Sequence, residues 1–330
     1  MKRITYSLMM ISTLWIVSCG DEPGKKPCGG PPQVSAGPDQ TLSGEAEVNL
    51  EGITDADAGA WSILAGTGGE IQDGNPIVFK GQLGVVYKLK WESTNDCGTT
   101  ADEVTITLNK APGANQSING LVDNMHWIEQ ACFRIEGSNY TIYTDPNSIT
   151  KKDTADLILI SHPHADHWSA EMLDKISGPN TIIIAPTEVA YAGLFRERII
   201  LTPGQEYNAF GCIMVKAVHA YNIIDTQYHA KEKNWVGYVV TVNGVTFYHA
   251  GDTELIPEMK NITCDIALLP LGQTYTFDSV NDAVQAAKDV KAKVAIPMHF
   301  GLYEGTHDDA LKFKDLLDGI IPVVIKEKGV

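Results

Sequence analysis

The chain has 330 residues, more than one ordinary core organises and enough for two domains. Hydrophobic residues at 44% and charged residues at 20% make it globular rather than disordered. A formal net charge of -16 repels phosphate backbones and anionic headgroups, so nucleic-acid binding is not expected, although a local metal site can still draw in an anionic substrate.

Lys2 and Arg3 precede an apolar run over 6–17 that is too short to span a bilayer. The run ends at Ile16-Val17-Ser18-Cys19, with a small residue before the cysteine and a polar stretch after it. This resembles a bacterial lipoprotein signal over 1–19. The resemblance implies lipidation at Cys19 and a membrane-anchored protein of the cell envelope, on the periplasmic or outer-membrane surface. The bland alternative is an ordinary signal peptide with an incidental cysteine. Residues 20–33 (GDEPGKKPCGGPPQ) read as a flexible tether.

Over 34–110 the pattern becomes short period-2 runs, such as Glu47-Val48-Asn49-Leu50 and Val104-Thr105-Ile106-Thr107-Leu108, separated by Gly, Asn and Asp. That predicts a small β-sandwich. Ala36-Gly37-Pro38-Asp39-Gln40-Thr41, Trp61-Ser62-Ile63-Leu64 and the turn at Cys97 resemble PKD or immunoglobulin-like modules, which implies a spacer or adhesion role. A Cys28–Cys97 disulfide is conceivable in an exported chain, whereas Cys132, Cys212 and Cys264 sit among apolar residues and read as core.

A linker near 110–117 leads into a domain over 115–330 that mixes strand-like and helix-like segments, an α/β layered pattern. Strands are expected at 139–143, 156–161, 181–185, 213–218, Val236–Val242, Val245–His249, Ile266–Pro270 and 294–297. Helices are expected at 169–176, 279–290 and His307–Leu317. Nothing after residue 19 is long and apolar enough for a transmembrane helix.

The chemistry concentrates after the apolar run Asp156-Leu157-Ile158-Leu159-Ile160. The loop that follows, Ser161-His162-Pro163-His164-Ala165-Asp166-His167-Trp168, packs three imidazoles and a carboxylate into six residues. Such a donor set suits zinc and neighbouring transition metals, and a tight loop lets the side chains converge. Chance histidines in a polar loop are a poor explanation, because the whole chain has nine.

HxHxDH after a buried strand resembles the signature of the metallo-β-lactamase superfamily. Thr144-Asp145-Pro146, Tyr248-His249-Ala250-Gly251-Asp252-Thr253 and Ile296-Pro297-Met298-His299-Phe300-Gly301 resemble three more of its motifs. The resemblance implies a four-layer αββα fold and a metal-dependent hydrolase of the lactonase or phosphodiesterase-like branch. It implies two divalent ions, zinc or else manganese, iron or nickel. His162, His164 and a further histidine would hold one ion, and Asp166, His167 and His299 the other, with Asp252 between them. For the further histidine the loop residue His229 is taken. His219, at the end of a strand, is the alternative. Asp166 is the catalytic candidate, placed to orient a metal-bridging hydroxide and to take part in proton transfer. The substrate would be a small-molecule ester, lactone or phosphodiester. Trp127-Ile128-Glu129-Gln130-Ala131 departs from that branch's Trp-x-Gly-His-Ala, so Gln130 replaces a histidine.

Weaker candidates are His249 as a packed or supporting histidine, His126 and His307 as surface residues, and Trp168, Tyr221, Asn222 and 274–276 as pocket walls. The competing function is a surface binding or adhesion lipoprotein whose metal domain is inactive; a true β-lactamase is disfavoured, because its second metal uses a cysteine.

Overall fold

The structure is a computed structural model that describes residues 29–111, 113, 115–137 and 139–329. The signal region, Cys19 and Cys28 lie outside the described residues. Cys97 is in a disulfide.

Strict alternation builds the first unit. The strand Glu47–Leu50 buries only Val48 and Leu50, and Val85–Asn95 buries every second residue from Val85 to Ser93. The latter pairs with Gly98–Asn109 as a long hairpin in a four-stranded sheet whose other members are Gln40–Ser43 and Gly59–Ala65. A three-stranded sheet joins Glu47–Leu50, Ile77–Lys80 and Glu70–Gln72. Phe79 from the smaller sheet and Tyr87, Leu89, Ile106 and Leu108 from the larger one share a single hydrophobic cluster.

From residue 118 the chain forms two six-stranded sheets. The first runs Met125–Glu129, Cys132–Glu136, Thr141–Thr144, Leu157–Leu159, Ile182–Ile184 and Glu197–Ile199, and is parallel from Thr141–Thr144 onward. The second runs Glu206–Ala209, Ile213–His219, Val236–Val242, Val245–His249, Ile266–Pro270 and Val294–Met298, and its last three strands are parallel. Strands buried on both faces explain the continuous apolar runs in the sequence. Leu157, Leu159, Ile182 and Ile184 face the second sheet. Ile158, Ile160 and Ile183 face the other way, against Leu173 and Ile176 of the helix Ala170–Ile176. The helices Val280–Asp289 and His307–Leu317 pack on each other, and the former packs on the strand Ile266–Pro270. The layers are thus helix, sheet, sheet and helices, which is the metallo-β-lactamase arrangement.

Three strands and the last helix keep their expected bounds. Ser169 and Ser279 lie just outside their helices, as N-caps that accept from Met172 N and Asp282 N. The segment expected at 156–161 is shorter, Leu157–Leu159, because the chain turns toward the histidine loop from Ile160. Sequence patterning missed the strands at 125–136, 197–199 and 206–209 and the helix Ile118–Asp123. These are short pieces of three to six residues, too brief for a period to stand out.

Two glycines permit close backbone approaches at the site. A Cβ on Gly237 would lie 2.6 Å from Ala250 O and 2.8 Å from His249 O. Gly251 has φ +64°, and its Cβ would lie 3.0 Å from both Ser161 Cβ and Val236 O. These approaches seat the turn that carries Asp252 against the loop that carries His162. Gly237→Ala is therefore expected to cost about 1–3 kcal/mol of overpacking, read as a lower urea midpoint; an unchanged midpoint would contradict the close approach.

Candidate metal centre

The residues of interest leave the carboxyl ends of parallel strands, where α/β sheets open their crevices. Asp145 follows Thr141–Thr144, the HPHADH loop follows Leu157–Leu159, Asp252 follows Val245–His249, and His299 follows Val294–Met298. Four strand ends therefore converge on one point.

That point is the carboxylate of Asp252. Its Oδ2 lies 3.3 Å from His167 Nε2, 3.3 Å from His299 Nε2, 3.6 Å from His229 Nε2 and 3.8 Å from His162 Nε2. His164 Nδ1 lies 3.1 Å from His162 Nε2. On the other side, Asp166 Oδ2 lies 3.6 Å from His299 Nε2 and 3.7 Å from His167 Nε2. The donor atoms of His162, His164 and His229 lie close enough together to hold an ion, as do those of Asp166, His167 and His299, and those of His162, His167 and Asp252. His229, not His219, is in the cluster. His219 ends its strand beside Tyr221, with ring centroids 6.1 Å apart.

Burial makes this arrangement electrostatically tense. Asp252 is almost fully buried, which alone would raise its pKa. The imidazoles of His167 and His299 outweigh that and hold it well below the ordinary carboxylate value. The counterpart is visible on the histidines. Burial works against charging His299, yet Asp252, Asp166 and Glu304 lift it to about 10. Burial works against His167 too, and Asp252 and Asp145 raise it well above the usual imidazole value. His162, His164 and His229 go the other way, lowered mainly by burial, His229 to about 4. Three neutral imidazoles thus sit beside a carboxylate pair.

The outer nitrogens of His162, His167 and His299 are backed by oxygens tied to two carboxylates, whereas His229 Nδ1 is buried without a hydrogen-bond partner. Ser161 Oγ donates to Asp145 Oδ2 at 2.6 Å, so it must accept from His162 Nδ1 at 2.9 Å. Asp145 Oδ2 also accepts from His167 Nδ1 at 2.8 Å. His299 Nδ1 stands 3.1 Å from Glu304 Oε1. In each case Nδ1 faces an oxygen and Nε2 faces the cluster, the orientation that metal-binding histidines require. Asp145 has φ +37° and is fully buried, a strained position that its three contacts hold in place. His229 Nε2, His167 Nε2 and Asp252 Oδ1 are buried without a hydrogen-bond partner. Buried polar atoms left unsatisfied are costly, and a His/Asp set with unpartnered donor atoms aimed at one point fits divalent metal.

The other candidates fall as follows. His249 is buried and its Nε2 donates to Ala131 O at 2.9 Å, a supporting position. Gln130 is buried with φ +48°, and its Nε2 is 3.4 Å from His299 Nε2. His126 pairs with Glu136 and His307 begins the last helix, both away from the cluster. Trp168 does not wall the site: it packs against the outer cluster and donates to Pro163 O. Tyr221 bonds Glu258, whereas Tyr275 of 274–276 does line the cavity. Buried Asn222 donates to Tyr275 O.

Sequence reasoning assigned no role to Ser161, Asp145 or Glu304. It also missed Trp235, whose ring lies 5.0 Å from that of His164 and 5.3 Å from that of His162. Thr144-Asp145-Pro146 was the one available signal, since a carboxylate after a buried strand needs partners.

Residues 124–299 match the family model described as a β-lactamase superfamily domain. The chain is 33% identical over 216 residues to a UPF0173 metal-dependent hydrolase of Thermoplasma volcanium, covering 61% of this chain and 94% of that one. It is 34% identical over 180 residues to a UPF0173 metal-dependent hydrolase of Nitratidesulfovibrio vulgaris, covering 52% and 73%. Among solved structures, it resembles a Parabacteroides distasonis protein assigned by name to the metal-dependent hydrolases, with TM-score 0.54, 31% identity and coverage of 62% of this chain and 93% of that one. A metallo hydrolase of the archaeon Ignicoccus hospitalis shares the fold, with TM-score 0.52, 22% identity and coverage of 62% and 95%.

Protons and metal compete for His167 and His299. Both imidazoles have folded pKa values above the unfolded 6.5, that of His299 at about 10, so in the metal-free protein both stay charged as pH rises through neutrality. Metal needs them neutral. Titration of zinc into chelator-treated protein at pH 7, in buffers of different ionisation enthalpy, should show a release of roughly one to two protons. Affinity should rise with pH between 6.5 and 10. A pH-independent affinity would show that these imidazoles do not take metal.

Proposed function

The chain belongs to the UPF0173 metal-dependent hydrolases, which carry the metallo-β-lactamase fold, and from that premise we propose that it hydrolyses an ester, lactone or phosphodiester bond at a di-metal centre. The observation that carries the reading is the position of Asp252 Oδ2, within 3.8 Å of four imidazole nitrogens that belong to two different donor groups. A carboxylate so placed serves both groups at once. His162, His164 and His229 would hold one divalent ion and Asp166, His167 and His299 the other, with zinc first and manganese, iron or nickel as alternatives. Such ions lower the pKa of water toward about 7 and polarise the oxygen of the scissile group.

The chain's own residues supply the rest. Asp145, Ser161 and Glu304 orient the imidazoles of His162, His167 and His299. Asp166 differs from Asp252 in facing the opening, with a fifth of its side chain exposed. Its pKa is lowered despite burial, chiefly by His299, so it is ionised at neutral pH and able to take a proton from an attacking water. The adhesion alternative requires a degenerate site, and no member of the donor set is missing.

We further propose that the chain is displayed on the cell envelope, anchored at Cys19, with residues 34–110 as a PKD or immunoglobulin-like spacer. The amino-terminal unit meets the hydrolase domain at Asn139, Asp156, Asn180 and Arg196, through Lys110, Gln82 and Gly84. Each of those four residues immediately precedes a strand or lies just before one, so the seam is on the sheet edge opposite the strand ends that carry the site. The amino-terminal unit therefore leaves the mouth of the site clear, which supports display.

Metal analysis with generic ester and phosphodiester assays tests the activity. His164→Ala should lower turnover by more than roughly 100-fold while the protein stays folded; turnover unaffected by the substitution would end the reading. For the anchor, Cys19→Ala should move the protein from the membrane to the soluble fraction of cells, and membrane retention of that variant would refute lipidation.

A further inference from the structure

The cavity over the metal centre has a volume of about 250 Å³. Besides residues of the centre itself, it is lined by Tyr228, Tyr275 and Tyr303. Among the described residues no lysine or arginine lines it. Tyr228 and Tyr275 meet edge to face, with centroids 4.7 Å apart and an interplanar angle of 88°. Tyr303 stands at the mouth, 63% exposed, next to Leu302 at 51%. Ile223 and Ile224, on the loop that carries Tyr228, are 50% and 70% exposed.

These apolar groups are not on floppy loops. Buried Glu254 accepts from the backbone N–H of Ile223, Ile224 and Asp225 at 2.7–2.9 Å. Glu304 accepts from the N–H of Thr274 and Tyr275 and from the hydroxyl of Thr276. Two buried carboxylates therefore hold three loops, 222–229, 272–276 and 300–305, around the opening. Loops fixed in this way keep aromatic and branched side chains toward water at a standing cost, as binding surfaces do.

We infer that the substrate is an uncharged carboxylic ester or lactone with an aryl or alkyl substituent that packs on Tyr228, Tyr275 and Tyr303. This rests on the hydrolase reading above and narrows it. Recognition of phosphate diesters draws on arginine or lysine beyond the metal ions. Here the walls are three phenols, the rim is apolar, and the chain carries a net charge of -16. Tyrosine offers a flat apolar face to a ring or chain and a hydroxyl to an ester oxygen. The volume is below that of drug-sized sites and sets a small substrate. In the reaction, the oxygen of water forms a bond to the carbonyl carbon, and the carbon–oxygen bond to the leaving group breaks. One water proton passes by way of Asp166 to the departing oxygen. The products are a carboxylic acid and an alcohol, or a single hydroxy acid from a lactone.

The test has a binding arm and a turnover arm. With chelator-treated protein, calorimetry would compare the neutral, unreactive N-phenylacetamide with the anion diphenyl phosphate. The amide should bind and the phosphate should not. Tyr275→Ala and the surface variant Tyr303→Ala should each weaken amide binding by roughly threefold to tenfold, the worth of an aromatic contact. With metal-loaded protein, kcat/KM on phenyl acetate should exceed that on bis-(4-nitrophenyl) phosphate, and Tyr303→Ala should raise KM more than it lowers kcat. Preference for the phosphate in either arm, or amide binding indifferent to both substitutions, overturns the assignment of substrate while leaving His164-dependent hydrolysis standing. If amide binding depends on the tyrosines but His164→Ala costs no turnover, the hydrolase reading fails and the esterase assignment falls with it.

Discussion

Asp252 is a carboxylate taken almost wholly out of water, and an isolated buried charge is not tolerated. In this protein its neighbours are imidazoles, which adjust in charge. In the absence of metal the compensation falls to His167 and His299, whose pKa values Asp252 and the neighbouring carboxylates raise against burial, while burial lowers those of His162, His164 and His229. A divalent ion supplies the same positive charge without the protons. The site is therefore stable to the loss of metal only by taking up protons, and it is primed to exchange one kind of cation for the other. Every other feature of the centre follows from keeping that exchange geometrically exact.

The constraint reaches outward through carboxylates of a second kind. Asp145 and Glu304 are as deeply buried as Asp252, but their oxygens are occupied by specific donors: Ser161 and His167 for the one, His299 and the 274–276 loop for the other. Charge-assisted bonds of this kind fix orientation more than they add stability. Glu304 has two tasks at once, since the same side chain that turns His299 also holds Tyr275 at the cavity wall. Orientation of a metal-site histidine and the shape of the substrate chamber are thus set by one residue.

How much of this the sequence discloses depends on how local the cause is. HPHADH is six residues long and lies after a run buried on both faces, so both the strand and the donor set are legible from composition alone. The strands Val236–Val242, Val245–His249 and Ile266–Pro270 keep their expected bounds because β-branched and aromatic residues fill the first two, which the Asn243-Gly244 turn separates, and the third is apolar throughout. The strand Cys132–Glu136 does not announce itself, because it is only five residues long and its polar face, Arg134 and Glu136, is closed by an ion pair that the sequence does not mark. His219 and His229 show the limit most clearly. Strand-end position alone pointed to His219, but the register opposite Val236 leaves it beside Tyr221, while the loop over 222–229 folds back under the grip of Glu254 and delivers His229. Glu254 and Glu304 act through backbone amides, and a sequence carries no mark of which amides a carboxylate will find.

The placement of the two glycines closes the argument between fold and chemistry. Gly237 and Gly251 lie on opposite sides of the same seam, where the strand Val236–Val242 passes the turn that ends Val245–His249. A side chain at either would push that turn off Ser161, and Ser161 is the hydroxyl that relays the grip of Asp145 to His162. The distance between Asp252 and the histidine loop is consequently a packing quantity before it is an electrostatic one. Backbone approach sets where the carboxylate sits, and the carboxylate then decides which imidazoles are charged. The strongest chemical feature of the molecule is held by two residues that have no side chain.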